Sequence, residues 1–146
     1  MSTVHPLQPA AETTLRRWHA MIEARDLAKL PALLHPRAVF RSPMAFSPYE
    51  GAAAVNLILN TVINVFDDFE YHRELSTADG LNVVLEFSAR VGDRALKGID
   101  LIRFDAAGLI IDFEVMVRPM TALQALGEKM GHLLAPQLDA LKTKPV

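Results

Sequence analysis

The sequence predicts an α+β fold, with helices packed on one face of a curved antiparallel or mixed sheet. Three features of its 146 residues carry that reading. Apolar residues recur every three or four positions from about residue 10 to residue 66. The period then changes to two. The alternating runs are joined by Gly-containing turns, Gly92-Asp93 among them.

The elements follow in order. Pro6 and Pro9 mark an irregular leader, residues 1–9. From about Ala10 to Arg25, Leu15, Trp18, Met21 and Ile22 form one helical stripe. Asp26 is placed to cap a second short helix with Leu27, Leu30, Leu33 and Leu34 inward, ended by Pro36 and shortened or bent by Pro31. AVFRSP reads as a strand, followed by the loop MAFSPYEG. Gly51 to Phe66 is the third helix, with Val55, Ile58, Leu59, Val62, Ile63 and Phe66 on one face. At 1.5 Å per residue it spans about 24 Å, enough to cover one face of a small sheet.

Strands follow. DFEYHREL alternates loosely. LNVVLEFSARV puts Val83, Leu85, Phe87, Ala89 and Val91 on one face. RALKGIDLIRF and LIIDFEVMV come next, the latter with Ile111, Phe113, Val115 and Val117 alternating against Asp112, Glu114 and Met116, and Pro119 ends it. Residues 121–142 form a helical extension, broken or kinked at Gly131 and Pro136, with a stripe of Leu123, Leu126, Met130, Leu133 and Leu134 that lids a pocket or extends a dimer. The whole of 1–146 is one domain.

Composition narrows the function. A net charge of −2 offers no electrostatic footprint for nucleic acid. No cysteine is present, which removes disulfides, thiol nucleophiles and thiolate metal sites. The histidines show no HxH or HxxxH spacing, so no metal centre is expected, and with no Gly-rich phosphate loop no cofactor is expected either. MSTVHPLQPAAETT lacks the regions of a signal peptide and no run is long enough to span a bilayer, so a cytoplasmic protein with no membrane contact is expected.

Asp100 is the residue that asks for an explanation. Alternation puts it on one strand face with Leu96, Gly98, Ile102 and Phe104, while Lys97 and Arg103 share the other face with Ile99 and Leu101. Either the carboxylate pairs with an Arg or a backbone group, or it lines an apolar pocket. Trp18, the sole tryptophan, reads as core, but its indole N–H needs an acceptor when buried, and a pocket carboxylate would serve.

WHAMIEARDLAKLPALLHPRAVFRSP, then YEGAAAV, then GIDLIRFDAAGLIIDFEVM together resemble the nuclear transport factor 2-like superfamily, and within it the SnoaL-like and ketosteroid isomerase-like proteins. The resemblance implies a cone-shaped cup in which three N-terminal helices plug a strongly bent sheet. It also implies an apolar pocket and a homodimer formed through the sheet, for which Met116, Ile110 and Leu101 are the candidate face. Ketosteroid isomerases carry an Asp base just before a Pro, where this chain has Ser42 before Pro43. They carry a Tyr oxyanion donor on the first helix, where Trp18 stands, and a protonated Asp donor, matched by Asp100. On this likeness the isomerase set is incomplete and classical steroid isomerisation is not expected. Arg103, on the opposite face from Asp100, does not complete the Asp-Arg-Asp set of the fold's epoxide hydrolases. The implied pocket would be lined by Trp18, Ile22, Phe40, Ser42, Tyr49, Ile102, Phe113, Val115 and Val117, with Tyr49 or His35 at its rim and Asp100 as the catalytic candidate. The function expected is binding of a small hydrophobic ligand beside a pocket acid. The alternative is a cyclase- or isomerase-type enzyme using Asp100 for acid/base chemistry on a carbonyl compound.

Overall fold

A computed structural model describes residues 6–142, with side chains to residue 137. Residues 1–5 of the expected leader lie outside the described residues. In chain order the elements are α1 (Pro9–Ala24), a 3-10 turn (Leu30–Leu33), β1 (Leu34–Arg41), β2 (Tyr49–Glu50), α2 (Ala52–Val65), β3 (Asp67–Ser76), β4 (Asn82–Val91), β5 (Arg94–Phe104), β6 (Ile110–Arg118) and α3 (Met120–Lys142). The strands form one sheet in the order β2-β1-β6-β5-β4-β3. β1 runs parallel to β6 and every other pairing is antiparallel, so the sheet is mixed.

Three helices therefore accompany the sheet, but they are not the three expected at the N-terminus. The segment after Asp26 is only a 3-10 turn. The Asp26 carboxylate accepts the Ala28 N–H at 3.0 Å, closing a local turn instead of capping a long helix. Pro36 then favours extended geometry at His35, and the chain is already in β1 at Leu34. The inward leucines are nonetheless placed as expected: Leu27, Leu30, Leu33 and Leu34 are all buried. Pro36 sits inside β1 because the register with β6 shifts between Leu34 and Val39, where a missing N–H removes no regular ladder bond.

α3 also departs from expectation. It runs unbroken through Gly131 and Pro136. Ala122, Leu126 and Leu134, spaced by four and eight, are buried along one face, while Leu133 is exposed. Burial at these three positions holds the helix in place up to the proline that removes one of its hydrogen bonds. On β6, Ile110 instead of Ile111 points into the core. Arg103 pairs with Asp112 and Phe104 with Ile110, so Ile111 is the extra residue of a bulge. Ile110 is thus fully buried and cannot form part of an exposed dimer face, whereas Met116 is exposed and Leu101 half-buried.

The core lies between the helices and the inner sheet face. Val83, Leu85, Phe87, Ala89 and Val91 of β4 and Leu96, Ile102 and Phe104 of β5 are buried there. α1 is tied to the sheet ends: Gln8 donates its N–H to Gly80 O at 2.9 Å, and Thr14 Oγ1 donates to Gly108 O at 2.5 Å. Gly108 has φ +86°, and a Cβ there would collide with the Ala10 carbonyl, so the β5–β6 turn and the start of α1 meet backbone to backbone. In mid-β5, a Cβ on Gly98 would lie 2.6 Å from the Phe87 ring and 2.5 Å from Met116 O. Gly98→Ala is expected to destabilise the fold by about 1–3 kcal/mol through overpacking against Phe87. Urea unfolding of the variant would show this as a lowered midpoint with an unchanged slope.

Candidate functional site

α1, the end of β1, α2, the inner faces of β3, β5 and β6, and α3 enclose a cavity of about 780 Å³. Its wall is mostly aliphatic and aromatic: Ile22, Ile58, Leu59, Val62, Ile63, Phe66, Phe69, Phe113, Val115, Leu126, Met130 and Leu134 all contribute. A few polar groups interrupt it, chiefly Asp100, Tyr71, Trp18, Ser42 and Tyr49, with His19, Glu23 and Arg25 also on the lining. α3 supplies a wall through Leu126, Gly127, Met130, Gly131, Leu134 and Ala135. The C-terminal segment is therefore part of the cavity.

Asp100 lies on the inner face of β5 and is 6% exposed. It is not paired with an arginine. The Tyr71 hydroxyl donates to Asp100 Oδ2 at 2.5 Å, and the Trp18 indole N–H donates to the Tyr71 oxygen at 3.0 Å. Trp18 thus reaches the acid through Tyr71 and not directly. No other hydrogen bond reaches Asp100 among the described residues, and none of their fully buried polar side-chain atoms lacks a partner. Oδ1 is therefore the oxygen open to the cavity.

Packing fixes this chain of donors. Trp18 meets Phe113 edge-on at 5.3 Å, and Phe113 stacks on Phe40 at 6.0 Å. Tyr71 stands perpendicular to Phe69 at 4.9 Å and to the His19 ring at 5.3 Å, whose Nε2 lies 3.0 Å from Glu74 Oε1. Burial pushes the Asp100 carboxyl up to about 7, opposed by the Tyr71 hydrogen bond. Burial, with the adjacent Asp100 charge, drives the Tyr71 phenol well above its ordinary range.

Of the residues expected around a pocket, Trp18, Ile22, Phe40, Ser42, Tyr49, Phe113 and Val115 line the cavity together with Asp100. Ile102 does not: it is fully buried in the core. Val117 also lies off the lining, packed against that core. His35 is not at the rim, and its Nδ1 accepts the Arg37 N–H at 3.0 Å. Tyr71 is the residue that sequence reasoning missed. β3 carries a bulge: Tyr71 pairs with Phe87 and Glu74 with Leu85, so His72 and Arg73 together oppose Glu86. Phe69 and Tyr71 face inward, while Arg73 turns outward to Glu86. The signal was the Phe69–Tyr71 alternation, hidden by that irregularity. No cluster of His, Asp and Glu suited to a metal occurs among the described residues, and none of their helices is long and apolar enough to cross a membrane.

Because Asp100 is raised from 3.8 to about 7, the folded protein keeps a proton there that the unfolded chain has released. The associated stability is complete below about pH 4 and is lost as pH rises to 7. About three pH units correspond to roughly 4 kcal/mol. Urea unfolding between pH 5 and 7.5 is expected to show wild-type stability falling with pH, and Asp100→Asn much less dependent on it.

Known proteins share this architecture. A crystal structure of a steroid delta-isomerase from Pseudomonas aeruginosa is 65% identical, with a TM-score of 0.89 over 92% of this chain and 98% of that one. A protein of cystatin-like fold from Silicibacter pomeroyi DSS-3 is 32% identical, with a TM-score of 0.80 over 88% and 90%. SalBIII, an epoxide hydrolase/cyclase-like enzyme of pyran ring formation in salinomycin, shares the fold at 17% identity and TM-score 0.62, over 77% of this chain and 92% of its own. No protein of curated function matches the chain. The SnoaL-like domain profile matches residues 15–113, and the chain belongs to the SnoaL-like domain family.

Proposed function

We propose that the protein binds a small apolar carbonyl compound in its cavity and moves a proton on it with Asp100. The observation that carries this reading is the Tyr71–Asp100 pair in a cavity of about 780 Å³. That volume falls within the roughly 300–1,000 Å³ of sites that hold drug-sized molecules. A carboxyl raised to about 7 is divided between its acid and base forms near neutrality, which suits it to take a proton from carbon and return it. Oδ1 faces the ligand and exchanges the proton. Tyr71 holds Oδ2, and Trp18 fixes Tyr71. Ser42 brings a hydroxyl to the cavity wall that suits a carbonyl oxygen.

The 65%-identical relative bears the name steroid delta-isomerase, which supports a ketone substrate and an allylic or α-proton transfer. Ser42 stands where the resemblance places a second carboxylate, so Asp100 performs both the removal and the return of the proton. The second reading is binding without turnover. It is favoured by Ser42, whose oxygen already accepts the Met44 N–H at 3.0 Å.

Exchange of α-deuterium from a labelled 3-oxo steroid, followed by NMR, separates the two. Catalysed exchange is expected in the wild type, and Asp100→Asn is expected to reduce it about 10²- to 10⁴-fold. Binding with no exchange establishes the second reading. The rate should rise with pH to a plateau above about 7, as Asp100 ionises. Tyr71→Phe removes the hydrogen bond that lowers the Asp100 pKa, so the midpoint of that rise is expected to move to higher pH.

A further inference from the structure

Among the described residues that line the apolar cavity, Arg25 is the one arginine or lysine, and its side chain is held in place. Arg25 follows the last residue of α1 with φ +52°, a left-handed position where glycine is the usual occupant. From there its Nη2 donates to Ile63 O at 2.7 Å and to Phe66 O at 3.2 Å. It thereby satisfies carbonyls at the C-terminal end of α2. Both bonds use one nitrogen. The Nε–H and the two Nη1–H donors make no hydrogen bond among the described residues. Arg25 also forms no ion pair there, not even with Glu23 two residues earlier. A solvent-exposed guanidinium at the mouth of an apolar cavity, immobilised by two carbonyls and with three donors uncommitted, is preorganised for an anion.

Its position relative to Asp100 defines the ligand. Trp18, which ends in the Tyr71–Asp100 pair, stands seven residues before Arg25, or about 10 Å along α1. Phe66, which Arg25 caps, precedes Tyr71 by five residues on the other wall, across an irregular start of β3 where Asp68 has φ +52°. The charges also fix orientation, since the Asp100 carboxylate repels an anion from its own end of the cavity.

Resting on the proton-transfer reading above, we propose that Arg25 recognises an anionic group on the substrate, at the other end from the carbonyl that meets Asp100. The substrate class is then an elongated apolar keto acid, and Arg25 is a specificity-determining residue. Glu23, on the same lining, opposes the anion and moderates its affinity.

The probes are a saturated 3-oxo steroid with a side-chain carboxylate and its methyl ester. Binding is read from the fluorescence of Trp18, the single tryptophan, which lines the cavity. In low salt the acid is expected to bind about tenfold more tightly than the ester, a preference that fades in 1 M NaCl. Arg25→Gln should abolish the preference while keeping ester affinity. Glu23→Gln, which leaves the α2 cap intact, should enlarge the preference by strengthening acid binding alone. Equal wild-type affinities for acid and ester overturn the proposal and leave the proton-transfer reading standing. A preference that survives in an Arg25→Gln variant of normal ester affinity also overturns it. If Arg25→Gln loses ester affinity as well, an unchanged preference in Glu23→Gln overturns the proposal. Failure of both probes to bind overturns the proposal together with the ligand reading beneath it.

Discussion

Everything at the centre of this molecule is arranged around keeping one carboxyl away from water while giving it only one partner. Asp100 receives a hydrogen bond from Tyr71, and Tyr71 in turn receives one from Trp18. Both donors are neutral, so they orient the acid without cancelling its charge. A cation in the place of Tyr71 would have held the carboxyl permanently ionised. The neutral pair leaves burial as the dominant influence and the proton affinity high. Helix α1, strand β3 and strand β5 must each be in register for the three side chains to meet. That makes the relay a summary of the fold.

The contrast with Glu86 shows that environment, not residue type, sets this behaviour. Glu86 is the other buried acid among the described residues, on the outer face of the neighbouring strand. Arg73 grips it with two bonds of 2.9 and 2.6 Å, and Lys97 lies 3.3 Å away. Its carboxyl is held down to about 2, chiefly by the Arg73 hydrogen bonds. One sheet thus carries a locked anion on its outer surface and an adjustable acid on its inner one. Only the second has a void beside it.

Much of this could be read from residue order. Strict alternation through 81–104 placed Asp100 on the inner face beside Ile102 and Phe104, and the helical stripes of α1 and α2 were set by spacing alone. Failures gathered where the backbone departs from regularity. The bulge at His72–Arg73 concealed Tyr71, and the one at Ile111 shifted the core side chain to Ile110. The 3-10 turn before β1 imitated a helix because four leucines must point inward in either conformation. Nor could local sequence show that Trp18 ends on a phenol from β3. That contact joins residues 53 positions apart, and it is decided by sheet curvature.

The parallel pairing of β1 with β6 has a consequence for how the chain matures. Arg41 and Asp112 meet across 71 positions, their side chains joined at 3.1 Å, whereas β3 through β6 connect through short turns. The meander can assemble from neighbouring segments. The first strand has to wait until the last has emerged, and such long-range closure slows folding. On a ribosome, the hollow would be completed only once α3, which follows β6 directly, has also emerged.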